Sequence, residues 1–254
     1  MMPTLRFLIF LLALGASLLA MGHASADEQQ ANSRQRAQAH TDLGAAYFGQ
    51  GQLGVALDEL NTAVSADSGY APAYGMLGLV YMALREDGKA DESFRRSLSL
   101  NNADPDVHNN YGWFLCQTGK IDDAISHFMI ALKNPLYATP EKPYLNAGIC
   151  SRKKGNDADA EEFLLKSIRL QPRQPQALFN LADIYFKRAN DSEAKKYITQ
   201  FFRIAAPTLE GLWLGIRIEH RLGNRSDEAS YVLQLRKLFP DSPEAQALRS
   251  GKYE

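Results

Sequence analysis

A chain of 254 residues with a formal charge of −1 and 45% hydrophobic residues has too much apolar matter for a disordered protein and too little net charge for a polyion. No basic excess exists to drive phosphate binding, so nucleic acid is not an expected partner.

At the start, Arg6 precedes an apolar run from Phe7 to Ala20, and Ala24-Ser25-Ala26 offers a small-x-small cleavage site. Residues 1–26 therefore read as a secretory signal peptide, with a mature chain beginning at Asp27. The other reading is an uncleaved membrane anchor, for which the run is short. Residues 27–36 are polar and read as a flexible leader.

From residue 37 the chain repeats. Gly44, Gly78, Gly112, Gly148, Ala182 and Gly215 are spaced 34, 34, 36, 34 and 33 residues apart. A second small-residue ladder, Ala56, Ala90, Ala124, Ala160, Ala194 and Ala229, runs at 34, 34, 36, 34 and 35. Two ladders of one period predict helix pairs that touch at small side chains, a repeat of the tetratricopeptide type. The expected fold is all-α: a right-handed superhelical solenoid of about six helix-turn-helix repeats over 37–240, followed by a tail over 241–254.

Taken in order, Leu43, Gly44 and Tyr47 mark the first helix, Gly51-Gln52 breaks it, and Ala56, Leu60 and Ala63 form the stripe of its partner. The second repeat has Leu77, Gly78, Tyr81, Ala90, Phe94 and Ser97; the third has Tyr111, Gly112, Leu115, Ala124, Phe128 and Ala131. Pro135, Pro140 and Pro143 then interrupt the helical pattern and account for the two extra residues. The fourth repeat resumes at Ala147, Gly148, Ala160 and Leu164, and the fifth carries Leu181, Ala182, Tyr185, Ala194 and Ile198. The sixth keeps Leu214, Gly215 and Ile218, but Ala229 comes one residue late and Pro240 follows soon after. Such divergence suits an end repeat with one face to water.

No pattern in the chain implies catalysis, a metal or a cofactor. The five histidines lack zinc spacing, and neither a phosphate-cradling glycine loop nor a nucleophile elbow occurs. Cys116 and Cys150 lie on the first helices of neighbouring repeats. They could form a disulfide in an oxidising compartment, or each could be a small buried hydrophobe.

The informative surface is the concave one, lined by one face of every first helix. Counting from the ladder positions, it takes in Phe48, Leu79, Met82, Asn109, Trp113, Leu145, Ile149, Phe179, Phe186, Leu212 and Ile216. Some of these positions can equally serve packing. The tryptophan and phenylalanines among them are the residue types that dominate binding energy at protein interfaces. Asn110, Asn146 and Asn180 recur two residues before the ladder position, and an amide's paired donor and acceptor suit an extended peptide backbone. The alternative is that each asparagine bonds within its own helix pair. Lys142, Arg152, Lys153 and Lys187 add positive charge nearby, which suits a carboxylate-bearing segment or merely solubility.

Asn109-Asn110-Tyr111-Gly112-Trp113-Phe114-Leu115 resembles the type IV pilus biogenesis and stability proteins, the PilF/PilW pilotin family. Leu136-Tyr137, Leu214-Gly215-Ile216-Arg217 and Leu233-Gln234-Leu235-Arg236-Lys237-Leu238-Phe239-Pro240 add to the likeness, which covers Ala37 to Pro240. The resemblance implies a non-enzymatic periplasmic protein that binds the outer-membrane secretin and promotes its multimerisation. Members of that family carry a lipobox cysteine after the leader, whereas no cysteine precedes Cys116 here. Association with the outer membrane is then expected only through the partner or an uncleaved leader. A general periplasmic adaptor for another envelope or secretion complex fits the repeats as well.

Overall fold

The computed structural model describes residues 28–251 and Tyr253, and the regular structure among them is helical throughout. Helix α1 covers 28–49. There follow α2 (Leu53–Ala66), α3 (Ala71–Ala83), α4 (Asp87–Leu100), α5 (Pro105–Gln117), α6 (Ile121–Ala131) and α7 (Glu141–Lys153). Then come α8 (Asp157–Leu170), α9 (Pro175–Lys187), α10 (Asp191–Ile204), α11 (Leu209–Leu222), α12 (Arg225–Leu238) and α13 (Pro243–Arg249). The helices fall into two compact units, the first ending at Tyr111 and the second beginning at Gly112, inside α5.

The glycine ladder works as close contact between paired helices. A β-carbon added at Gly44 or Gly78 in the first unit would lie 2.7 Å from Leu60 or Phe94. In the second unit the same atom at Gly112 or Gly148 would lie 2.7 Å from Phe128 or 2.6 Å from Leu164. Each partner is sixteen residues beyond its glycine. Gly215 keeps the relation more loosely, with Tyr231 at 3.2 Å.

The turn after each first helix uses positive φ, at Gly51, Gly119, Gly155 and Gly223. Arg85 and Ala189 take the same conformation, with φ of 60° and 57°. They show that the repeat imposes this geometry even on residues for which it is unfavourable.

Within the first unit, Ala56, Leu60, Leu77 and Val80 form a core with Phe48 and Tyr47 packed on it. The Tyr111 hydroxyl donates to Asp91 Oδ1 at 2.8 Å. Residues 28–36, expected as a flexible leader, are helical and almost wholly exposed, and burial begins at Ala37. The signal peptide, its cleavage site and Asp27 lie outside the described residues.

In the second unit the main core runs from Ala160 and Leu164 through Leu178, Leu181 and Ile184 to Ile198 and Ile218. Asn156 and Asn190 cap α8 and α10 by accepting from backbone N–H groups three residues on. Cys116 and Cys150 are joined by a disulfide between α5 and α7, with Cα atoms 5.9 Å apart and both residues buried. The bond resolves the sequence alternative for these two cysteines.

Between α6 and α7, the Leu136 backbone N–H donates to Asn134 Oδ1 at 2.9 Å, Tyr137 turns inward and Leu136 outward. At the far end α13, capped by Ser242, buries Ala245 and Leu248 on Leu212, Ile216 and Leu235. Packing therefore extends into the stretch expected as a tail. Lys195 ties three helices together: Nζ lies 2.8 Å from Glu219 Oε2, in a wholly buried residue, and 2.9 Å from Asp227 Oδ2.

Candidate functional site

The second unit holds an open cleft of about 470 Å³. Trp113 of α5 and Ile149 of α7 form one wall, and Pro175, Gln176, Phe179 and Asn180 of α9 form the middle. Phe201 and Ala205, from the end of α10, and Thr208 and Glu210, from the start of α11, complete it. The disulfide fixes the first wall, since Cys116 lies one helical turn after Trp113 and Cys150 directly follows Ile149.

The opposite wall depends on an exception in the repeat. Phe201 occupies the register that Ala63, Ser97, Ala131 and Ser167 hold elsewhere. The Ser167 hydroxyl donates to the Glu141 carbonyl, so that register normally lies tight against the neighbouring helix. Gly211 makes the room for Phe201: an added β-carbon there would lie 2.8 Å from the phenylalanine ring. Phe201 then meets Phe179, with ring centroids 6.0 Å apart and planes tilted by 55°. Thr208 is occupied as the cap of α11, accepting from the Gly211 N–H at 3.1 Å.

Polar groups beside the cleft are largely matched to one another. Arg152 donates to Asn180 Oδ1 at 2.6 Å and pairs with Asp183, whose carboxylate also holds Lys187 at 3.0 Å. Asn180 Nδ2 donates to the Gln176 carbonyl at 2.7 Å. This asparagine is held both within its own helix and by Arg152 of the preceding repeat, and is no freely offered donor–acceptor pair. Arg152 and Lys187 are likewise engaged, both by Asp183, although Lys187 stays exposed. Lys153 differs: its Nζ stands 5.8 Å from the Trp113 ring centre and donates to Gln117 Oε1 at 2.9 Å.

Of the residues read from sequence as groove, Trp113, Ile149, Phe179 and Asn180 come together here. Leu145 packs half-buried on the main core, and Asn146 is half-buried on the same helix. Phe186 departs from the expectation. It is 5% exposed, joins the core and is faced by the guanidinium groups of Arg217 and Arg221, 4.7 and 4.2 Å from its ring centre. Leu212 and Ile216 are fully buried because α13 covers them. The positional rule failed for these two because the last repeat has no successor, and α13 takes that place.

In the first unit Phe48, Leu79 and Met82 are half-buried, Asn109 is buried, and its amide donates to Asn110 Oδ1 at 3.3 Å. Sequence reasoning missed Phe201, Pro175 and Glu210. The signal for Phe201 was present: a phenylalanine where four other repeats place alanine or serine.

Among the described residues no three His, Cys, Asp or Glu side chains gather as metal ligands, and no helix is long and apolar enough to cross a membrane. The arrangement offers apolar contact and a few hydrogen bonds, the means of holding another polypeptide.

Comparison with known proteins agrees with the helical repeat. The tetratricopeptide repeat family model matches residues 71–104 and 175–207. The type IV pilus assembly protein PilF of Pseudomonas aeruginosa is 30% identical over 181 residues, covering 71% of this chain and 72% of that protein. A solved structure of Pseudomonas aeruginosa PilF superposes with a TM-score of 0.82 at 30% identity, over 87% of this chain and all of that one. The structure of PilW, described as a widely conserved type IV pilus biogenesis factor, gives 0.76 at 32% identity, over 84% of this chain and 97% of the other. Similar in sequence along most of its length and in fold along still more, the chain belongs to the PilF/PilW family of tetratricopeptide-repeat proteins.

Proposed function

We propose that this protein serves type IV pilus biogenesis as a non-catalytic assembly factor of the pilotin kind. It binds an unassembled subunit of the outer-membrane secretin and promotes its multimerisation. The observation that carries this reading is the open cleft of Trp113, Ile149, Phe179 and Phe201 on a chain related to PilF. An exposed apolar segment of a secretin subunit, held there, would be kept from aggregating until the ring forms. Export to the periplasm belongs to the same reading, and the Cys116–Cys150 bond supports it because such bonds persist in oxidising compartments. Contact with the outer membrane would come through the partner or a retained leader.

Replacing Trp113 and Phe179 together by alanine is expected to lower secretin multimers and surface pili at least several-fold while the protein remains folded by circular dichroism. Unchanged multimers and pilus number would overturn the role of the cleft. Crosslinking in envelope fractions, read by mass spectrometry, would identify the partner and the mature N-terminus. Recovery of a different envelope complex would favour the adaptor reading.

A further inference from the structure

An unmatched charge stands at each end of the cleft: Glu210 lines it, and Lys153 lies beside the lining residue Trp113. In the order of the helices that form it, Trp113 stands first, on α5, and Glu210 last, at the start of α11. Lys153 lies over Trp113, its hydrogen bond goes to a neutral amide, and no carboxylate among the described residues pairs with it. Glu210 is exposed and likewise pairs with no cation among the described residues. Between them two cations face two carboxylates, because Asp183 holds both Arg152 and Lys187 and Asp157 Oδ1 lies 3.7 Å from Arg152 Nε. The surface between the two ends is the apolar one of Ile149, Phe179 and Phe201.

Resting on the reading that this cleft holds a partner segment, we propose that the segment is bipolar. An acidic residue of it lies at Lys153, a basic residue at Glu210, and large apolar side chains between them fill the space over Phe179 and Phe201. A uniformly acidic segment would set a carboxylate against Glu210, and a uniformly basic one would set a cation against Lys153. Either juxtaposition opposes binding, so the two ends select between partners while the apolar middle holds them. Lys153 is on α7 and Glu210 on α11, two steps between first helices of about 10 Å each. An extended peptide of about ten residues is long enough to reach both.

The test uses the full-length protein and four synthetic ten-residue peptides with blocked ends. All share a central leucine and phenylalanine. Their outer positions carry aspartate and lysine, aspartate twice, lysine twice, or serine twice. By titration calorimetry at low salt, the aspartate–lysine peptide is expected to bind about three- to five-fold more tightly than either peptide of single sign. Lys153→Glu should move the preference to the double-lysine peptide, and Glu210→Lys should move it to the double-aspartate peptide. These differences should collapse at 1 M salt, where the Debye length is about 3 Å. Equal affinity for all four peptides, lost on Trp113→Ala, would overturn the bipolar segment and leave the cleft as a binding site. Absence of binding by any peptide would overturn both.

Discussion

Lys195 shows how much one side chain can carry in a stack of short helices. Glu219 is wholly buried on α11, and Lys195 from α10 supplies the cation beside it while also reaching Asp227 on α12. Removing one partner of such a pair leaves a buried charge uncompensated, which costs about 3–5 kcal/mol. Asn224 still donates to Glu219 Oε2, so the lower end of that range is expected for Lys195→Met. Urea denaturation should show it as a fall in the midpoint without a change in slope. The same contact sets a pH dependence. The hydrogen bond to Glu219, then that to Asp227, raises the ionisation of Lys195 above its usual 10.5. Its contribution is therefore complete below pH 10.5 and is lost as pH rises through the higher folded value. The wild type should lose stability over that alkaline interval, and the Lys195→Met variant should lose less there.

At the scale of elements, the period of the chain was legible because close helix contact tolerates so few residue types. Gly44, Gly78, Gly112 and Gly148 could be read directly, since a methyl group at any of them would overlap its partner's side chain. The turns were legible only where glycine marks them. Arg85 and Ala189 hold the same positive φ without a sequence signal, because the repeat around them dictates the geometry. The cleft was half legible. Trp113, Ile149 and Phe179 follow from the ladder, whereas Phe201 breaks a register and depends on Gly211, ten residues away. Phe186 went astray because Arg217 and Arg221 cover it, and a count along α9 contains nothing of α11.

The disulfide belongs to this scale too. It closes 34 residues, for which the lost loop entropy of the unfolded chain corresponds to about 3–4 kcal/mol. Replacing both cysteines by serine should lower stability by about that amount and loosen Trp113 relative to Ile149. With both residues buried, reductant alone should leave the folded protein unchanged over minutes. Reductant added in denaturant should bring the wild type to the variant's midpoint, and equal midpoints of the oxidised wild type and the variant would refute the contribution.

For the molecule as a whole, a repeat chain must end, and an end without a cover exposes the face a further repeat would bury. Here α13 supplies the cover. Ala245 and Leu248 lie on Leu212, Ile216 and Leu235, each fully buried, and Tyr253 stacks on His220 with ring centroids 3.8 Å apart. Leu212 and Ile216 belong to a first helix and Leu235 to a second, so α13 contacts both members of the last pair. Ending the chain after Pro240 would uncover a large part of three aliphatic side chains, a loss of about 3 kcal/mol from apolar burial. Because each repeat draws its stability from its neighbours, that loss should appear first as local opening. Hydrogen exchange is expected to accelerate by about a hundred-fold in α11 and α12, with α3 and α4 unchanged. The start of α11 also carries Thr208 and Glu210, so loosening α11 removes one end of the cleft while Trp113 and Ile149 stay in place. The truncated protein should therefore keep binding an apolar peptide and lose its discrimination at Glu210. If exchange rose equally in every helix, α13 would be supporting the whole fold, and its assignment as a terminal cover would be wrong.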